Sequence, residues 1–219
     1  MKRIKDLIDK HCRDKEIGLQ NGLDALLDYM IDFFDYSHYL NDNIEKHWQD
    51  MLGKSRELFI VTIDFMERAA KAIEQGTWID YFGQLYESQY QSKGKASNLG
   101  QFFTPPDICN LMTDVSRCKK EDSINDPACG SGRTLLSYFA KAENKSGYYV
   151  GEDIDITSVK MAALNMMIHG MRGRAIRHDT LKNPNTFELG YEINEVRYPC
   201  PTPYYSLRRI SNATKDVSK

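Results

Sequence analysis

The chain has 219 residues, which is enough for one well-buried domain and an accessory segment. With a formal net charge of -2, the chain lacks the excess of basic residues typical of proteins that bind nucleic-acid phosphates. Any DNA contact is therefore expected to be local or supplied by a partner. No apolar run approaches the roughly 20 residues that span a bilayer, and the five cysteines form no Cys-x-x-Cys pair, so we expect a cytoplasmic protein without a membrane segment, disulfide framework or metal site.

Helical periodicity dominates residues 1–92, which we interpret as an N-terminal helical domain. One amphipathic run is formed by Leu23, Leu26, Leu27, Met30, Ile31 and Phe34. A second run extends from Leu58 to Ile73 and ends near Gly76, a residue suited to helix termination. The helical spacing of the aromatic residues that follow favours packing over base stacking for Trp78, Tyr81, Phe82, Tyr86 and Tyr90.

Residues 93–100 contain two glycines and two lysines among small residues, a composition that predicts a linker. The sequence Thr-Pro-Pro-Asp at residues 104–107 then predicts a helix start with Thr104 as the N-cap. The apolar residues of that helix are expected to point inward: Ile108, Leu111, Met112 and Val115.

Strands alternate with helices after residue 101, with strand character near residues 123–126, 148–153 and 175–179. Alternation of this kind predicts a parallel sheet in an α/β domain. We assign residues 101–205 to that domain and residues 206–219 to a C-terminal tail.

The sequence Asp-Pro-Ala-Cys-Gly-Ser-Gly at residues 126–132 joins the first strand to a helix. Glycines in such a turn let the backbone pass close to a ligand. Arg133 and Leu135 follow Gly132, so the G-x-G-x-x-G pattern of a dinucleotide site is absent. The carboxylate of Asp126 suits a ligand with an ammonium group, which S-adenosylmethionine has and NAD lacks.

Two further acids follow later strands. Asp153 lies 21 positions beyond Gly132 (153 minus 132), an offset at which an acid binds ribose hydroxyls. Glu152 and Asp155 are alternatives for this role, although Asp155 is better placed as the N-cap of the next helix. Asp179 ends the third strand, where a side chain could read an adenine amino group.

In this order the motifs resemble the methylation subunit of type I restriction-modification systems, an adenine-N6 DNA methyltransferase. The resemblance begins with Asp-Tyr-Phe-Gly-Gln-Leu-Tyr-Glu at residues 80–87 and with Gly-Gln-Phe-Phe-Thr-Pro at residues 100–105. It continues through residues 126–132, Asp153, residues 165–170 and Asp179. It implies a Rossmann-like S-adenosylmethionine-dependent methyltransferase sheet, truncated here, after an α-helical N-terminal domain.

The resemblance also implies a site for S-adenosylmethionine. Its residues would be Phe103, Thr104, Pro105, Asp126, Ala128, Gly130, Gly132, Asp153, Ile154, Asp179 and Thr180. Thr104 would help to hold the methionine carboxylate, Asp153 the ribose, and Asp179 would lie beside the adenine. The implied partners are DNA and the specificity or restriction subunits, contacted through the N-terminal helices.

One family motif is missing. The chain has no Asn-Pro-Pro-aromatic sequence, the motif that accepts the protons of the flipped adenine amine and stacks on the base. A fourth strand at residues 191–198 would bring residues 199–205 to that place, where Thr202 could accept a hydrogen bond and Tyr204 could stack. The sequence Asn-Pro-Asn at residues 183–185 comes too soon after Asp179 to follow another strand, so we interpret it as a turn and not as the catalytic motif.

These observations leave three functions open, and we assign no catalytic residue. The favoured one is an S-adenosylmethionine-binding homologue that lacks autonomous catalysis. The second is an active adenine-N6 DNA methyltransferase subunit completed by a partner chain. The third is a non-enzymatic interaction protein that docks through its helices.

Overall fold

The computed structural model describes residues 1–35, 44–89, 103–116, 123–142, 145–182, 186–195 and 205–211. Its helices are α1 (Lys2–Asp14), α2 (Gly22–Phe33), α3 (Ile44–Lys54), α4 (Arg56–Glu74), α5 (Tyr81–Gln89), α6 (Pro106–Ser116), α7 (Arg133–Lys141) and α8 (Ile156–Ile168). Its strands are β1 (Ile124–Asp126), β2 (Tyr148–Asp153), β3 (Arg172–Arg177), β4 (Leu189–Ile193) and β5 (Leu207–Ser211). The predicted linker, residues 93–100, lies outside the described ranges.

The two predicted amphipathic helices of the N-terminal part are confirmed. All six apolar residues of the first run, in and just after α2, are buried. Helix α4 begins after Ser55, whose hydroxyl accepts a hydrogen bond from the N–H of Leu58 at 3.2 Å. It ends before Gly76, which adopts the left-handed conformation with φ of +67°. Tyr81 and Phe82 are core residues and the partly buried Trp78 and Tyr86 pack against the core, as the packing interpretation requires. Tyr90 lies outside the described residues.

The strands form one sheet in the order β1-β2-β3-β4-β5. The first three are parallel, as predicted, whereas β4 runs antiparallel to β3, and β5 antiparallel to β4. Helices α7 and α8 connect the parallel strands, so the carboxyl ends of β1, β2 and β3 lie at one edge. The sheet is therefore mixed, and the turn after β1 lies at the carboxyl edge of its parallel part.

The predicted fourth strand at residues 191–198 is wrong in extent and position. Strand β4 ends at Ile193 because Asn194 takes a left-handed conformation, with φ of +50°. Ile193 pairs with Gly173, near the start of β3, so the chain leaves β4 at the end of the sheet opposite to the turn after β1. Strand β5 starts from that same end, at Leu207. Residues 196–204 lie outside the described residues, but both their flanks are remote from the predicted catalytic position.

Helix α8 joins the N-terminal helices to the sheet. It packs on β2, β3 and β4, and its N-cap is Asp155, as predicted, which accepts the N–H of Ser158 at 3.0 Å. On its other side α2 contacts it, with a hydrogen bond from Thr157 to Asp24 at 2.8 Å. The buried residues of the helices and of the sheet form one hydrophobic cluster.

The inward orientation predicted for α6 is wrong. The exposed fractions of Ile108, Leu111, Met112 and Val115 are 45, 57, 47 and 71%. The helix packs on α7 through its other side, where the Thr113 hydroxyl lies 2.9 Å from that of Ser137. Spacing identified the residues that share a face, but it could not identify what covers that face.

The start of α6 also differs slightly from the prediction. The first helical residue is Pro106, and the carbonyl of Pro105 accepts the N–H groups of Ile108 and Cys109 at 3.0 and 3.1 Å. The N-cap is therefore one residue later than the predicted Thr104.

Part of the predicted C-terminal tail is a strand. Leu207, the first residue of β5, donates its N–H to the carbonyl of Phe34 at 2.9 Å. Arg209 pairs with Asp32 at 2.7 Å, so β5 also contacts the end of α2. Residues 212–219 lie outside the described residues. Within the described ranges, no helix has both the length and the apolar character needed to cross a membrane.

Candidate functional site

The turn between β1 and α7, residues 127–132, is called the glycine loop below. Gly130 and Gly132 adopt left-handed conformations, with φ of +53° and +89°. A Cβ atom on Gly130 would lie 2.9 Å from the ring of Phe103, and one on Gly132 would lie 3.5 Å from Ala162. Glycine is needed here for the conformation at both positions and, at Gly130, for the close approach of an aromatic ring.

Asp153, at the end of β2, is bonded to the glycine loop. One carboxylate oxygen accepts the N–H of Gly130 at 2.9 Å, and the other accepts the N–H of Asp155 at the same distance. An ionised carboxylate has about four acceptor positions, so both oxygens can still accept hydroxyl groups. Burial raises the pKa of Asp153 above its usual value.

Asp126 occupies the end of β1. Its carboxylate accepts the N–H of Ala128 at 3.2 Å and a hydrogen bond from the Thr134 side chain. Burial nevertheless raises the pKa of Asp126. A partly buried carboxylate gains from a cationic partner, so the site suits an ammonium group.

A cavity of about 50 Å³ lies against the glycine loop. It is lined by Phe103, Thr104, Ala128, Cys129, Gly130, Ser131, Arg133 and Thr134. At roughly 10 to 15 Å³ per water molecule, it holds about four waters, which is room for a polar head group and not for a nucleoside. The structure thus brings four of the predicted site residues together: Phe103, Thr104, Ala128 and Gly130.

The remaining predicted residues lie around this cavity or farther along the sheet edge. Pro105 is the N-cap of α6 and Gly132 the N-cap of α7, and neither lines the cavity. Ile154 follows Asp153 and is 59% exposed. Asp179 accepts the N–H of Lys182 at 3.1 Å, and this hydrogen bond is the main cause of its lowered pKa.

Glu152, one alternative for the ribose acid, is engaged elsewhere. It is buried, and its carboxylate bonds to Nδ1 of His178 and accepts the hydroxyl of Thr180 at 3.3 Å. Burial works against ionisation of Glu152, but the hydrogen bonds from His178, Asn125 and Thr180 hold its pKa below the usual value. His178 is thus a buried, hydrogen-bonded residue, in line with the packing role that its sequence position favoured.

Several residues that support the cavity lie in the motifs at residues 80–87 and 165–170, but the sequence reasoning gave them no part in the site. Asp80 is 1% exposed and accepts hydrogen bonds from Ser131 at 2.6 Å, from Asn165 at 2.7 Å and from Arg133. Glu87 binds the same Arg133 through both carboxylate oxygens. One signal was available: Asn165 is the polar residue within an otherwise apolar stretch of α8, and such a residue needs a buried partner.

A family model described as N-6 DNA Methylase matches residues 77–216. Among curated proteins, the chain is 36% identical over 127 residues to the type I restriction enzyme MpnII methylase subunit of Mycoplasma pneumoniae, covering 54% of this chain and 22% of that protein. It is 35% identical over 141 residues to the type I restriction enzyme MjaIX methylase subunit of Methanocaldococcus jannaschii, covering 60% of this chain and 25% of that one.

A third relative is the type II restriction enzyme and methyltransferase RM.BcgI of Heyndrickxia coagulans, 31% identical over 137 residues. That match covers 57% of this chain and 22% of the relative. The matched part of the chain therefore spans about a quarter or less of each of these three proteins.

Proposed function

The chain belongs to the N-6 DNA methylase family, and from this premise we propose that it binds S-adenosylmethionine at the glycine loop without transferring the methyl group by itself. The chain matches about a quarter or less of each of three longer relatives, so the activity of those whole proteins does not by itself describe this chain.

The contact between Gly130 and Asp153 carries the proposal. The N–H of Gly130 lies 2.9 Å from the carboxylate, so the loop after β1 and the acid after β2 meet at the carboxyl edge of the sheet. Ligands of open α/β sheets bind at this edge. The nearby cavity has room for a head group, and Asp153 has acceptor positions left for two hydroxyls.

Each part of the cofactor has a matching group in the site. The partly buried carboxylate of Asp126 would pair with the ammonium of the ligand, and Thr104 at the cavity wall would hold the ligand carboxylate. Asp153 would accept the ribose hydroxyls. The exposed side chain of Ile154 would pack on the adenine, and Asp179 and Thr180 would lie beside its amino group.

Methyl transfer needs groups that the sequence does not contain. No Asn-Pro-Pro-aromatic sequence occurs in it, and the hairpin β4–β5 adds to β3 rather than to β1. Among the described residues, β1 therefore has β2 as its one neighbour. This arrangement favours a second candidate function, in which a partner chain supplies the groups that bind the target adenine and the assembly methylates it.

We propose that such a partner is a specificity or restriction subunit of a cytoplasmic restriction-modification assembly that binds DNA. The chain would contact this assembly through its N-terminal helices. The relatives named above are methylase subunits of type I enzymes or a type II enzyme. Helix α3 exposes apolar side chains that suit a protein contact, with Trp48 and Leu52 45 and 44% exposed.

Calorimetric titration with S-adenosylmethionine and S-adenosylhomocysteine tests the first function. We expect the wild-type chain to bind both, and Asp153→Asn to weaken binding by about tenfold or more because it removes a charged acceptor. Asp155→Asn is the matched control, since asparagine caps a helix as well as aspartate does. No heat with either ligand, or equal loss in both variants, would refute the cofactor site.

Transfer of tritium from labelled S-adenosylmethionine to DNA separates the two candidate functions. We expect none with this chain alone. Transfer that appears when specificity or restriction subunits are added would establish the second function, and transfer without them would overturn the claim that this chain does not methylate by itself.

A further inference from the structure

Arg133, the first residue of α7, is held between two carboxylates: Asp80, which directly precedes α5, and Glu87, within α5. Its Nε donates to Asp80, and its two terminal nitrogens donate to the two oxygens of Glu87 at 3.0 and 2.7 Å. The exposed fractions of the Arg133 and Asp80 side chains are 6 and 1%. A buried guanidinium in such a fork has little orientational freedom.

The same side chain also contacts the cavity wall formed by Phe103 and Thr104. Nη1 donates to the carbonyl of Thr104 at 3.3 Å. The guanidinium carbon lies 5.2 Å from the centre of the Phe103 ring, within the range of a cation–π contact. Arg133 thereby connects the wall to α5 and to the glycine loop.

Arg133 has little capacity left to bind a ligand carboxylate itself. Its four hydrogen bonds to Asp80, Glu87 and Thr104 use four of the five N–H groups of a guanidinium. Two carboxylates already more than balance its single positive charge. An incoming anion would therefore find little free charge at this residue.

Asp80 ties the loop to the same anchor. Besides Arg133, its carboxylate accepts the Ser131 hydroxyl at 2.6 Å, the Asn165 amide at 2.7 Å and the N–H of Gly83 at 2.8 Å. These four bonds fill the acceptor positions of one carboxylate. Ser131 lines the cavity, so the loop and the wall face each other across a space fixed by the buried pair of Asp80 and Arg133.

We propose that Arg133, held by Asp80 and Glu87, is a positioning residue that makes the site selective for ligands with an amino-acid group. This inference rests on the proposed cofactor function. The groups that Arg133 fixes line the cavity that fits the amino-acid head, whereas the residues assigned to the nucleoside lie beyond it. A ligand without that head group gains nothing from the fixed wall.

The test compares S-adenosylhomocysteine with 5′-methylthioadenosine, which keeps the nucleoside and the sulfur but lacks the amino-acid group. Dissociation constants are measured by calorimetry for the wild type, Arg133→Lys and Glu87→Gln. Lysine keeps the charge but loses the fork, and we expect about tenfold weaker binding of S-adenosylhomocysteine. Binding of 5′-methylthioadenosine is expected to stay within about twofold.

Arg209→Lys is the matched control, because Arg209 pairs with Asp32 on the exposed far edge of the sheet and should leave both constants unchanged. Glu87→Gln, a milder change at a partly exposed side chain, gives the same readout should Arg133→Lys fail to fold. Equal weakening of both ligands, or of neither, would overturn the positioning role. A wild-type chain that binds neither ligand would instead overturn the proposed function, and this inference with it.

Discussion

At the cavity, Asp80 and Arg133 are almost fully buried around the glycine loop, whereas farther along the sheet edge Ile154 and Leu181 are 59 and 96% exposed. The two ends of one proposed site thus differ in what holds them. The cavity end is fixed by the folded chain before a ligand arrives, which lowers the ordering cost of binding. The exposed end gains its apolar contacts when a ligand covers it.

We therefore expect removal of a buried anchor at the cavity end to cost folding stability, whereas changes at the exposed end should act mainly on binding. Replacing Asp80 by alanine should have the largest effect on stability. It leaves Arg133 with one partner fewer and removes the acceptor of Ser131 and Asn165. Breaking a buried pair costs about 3 to 5 kcal/mol of the free energy of unfolding, measurable by denaturant titration.

Asp114→Ala is the control for that experiment. Asp114 pairs with Lys141 on the surface and is 62% exposed, so its loss should change stability by less than about 1 kcal/mol. A similar cost for both variants would mean that the cavity end is not anchored through Asp80.

Gly130→Ala should have the next largest effect, because it combines strain with a collision. Alanine at φ of +53° costs about 1 to 2 kcal/mol, and its Cβ would lie 2.9 Å from Phe103. Gly170→Ala provides the matched case, with φ of +75° and no heavy atom within 4 Å of the added Cβ. Thermal unfolding should show a larger loss for Gly130→Ala, and equal losses would contradict the close contact with the ring.

At the exposed end, Ile154→Ser should leave the unliganded protein within about 0.5 kcal/mol of the wild type. Its side chain is 59% exposed, so little burial is lost on folding. S-adenosylmethionine should nevertheless bind about threefold to tenfold more weakly in calorimetry, because the adenine loses an apolar contact. Leu19→Ser, at a residue 45% exposed in the N-terminal part, should change neither quantity.

The smallest expected effect is that of pH. Acidification should change the stability of the unliganded protein and its affinity for the cofactor in opposite directions. Burial raises the pKa of Asp126 in the folded chain above its value in the unfolded chain. Its contribution to stability therefore falls as pH rises through the folded pKa, and Asp126→Asn should stabilise the unliganded protein at neutral pH, with a gain that shrinks on acidification. Cofactor affinity, which needs the carboxylate, should fall on acidification through the same range.

Paired denaturant titrations and calorimetry between neutral and acidic pH follow both quantities. Asp50→Asn, at an exposed residue of α3, serves as the control and should leave the pH dependence of stability and binding as in the wild type. A wild-type affinity that is constant across the acidic range would contradict the pairing of Asp126 with an ammonium group.

The parts of the fold that follow from local sequence were predictable. Strand β2, the turn that contains Gly130 and Gly132, and the Asp155 cap of α8 each depend on neighbours within a few residues. The direction of β4 was not predictable, because it depends on whether the chain crosses the sheet or turns back. The chain turns back before β4, whose first residue, Leu189, pairs with Arg177, the last residue of β3.

The supports of the cavity escaped prediction because their partners lie far apart in the chain. Asp80 lies 51 residues from Ser131 and 85 from Asn165, and no periodicity links these positions. The outward face of α6 escaped for a related reason: a helical stripe predicts a shared face without predicting its neighbour. The predicted site residues that line the cavity were found through motifs. Asp80, Glu87 and Asn165 also lie in motifs, but their role in holding the cavity needed the tertiary structure.

Strand β1 has a consequence for aggregation. It is three residues long and is the outermost strand of the sheet in the described ranges, so it offers few free backbone groups to another chain. Pro127 follows it and has no N–H to donate, which stops any added strand from extending along the loop. Long, flat edges recruit further strands, and short edges closed by proline do not. The sheet can therefore carry its proposed binding loop at an outer strand without offering a template for edge-to-edge association.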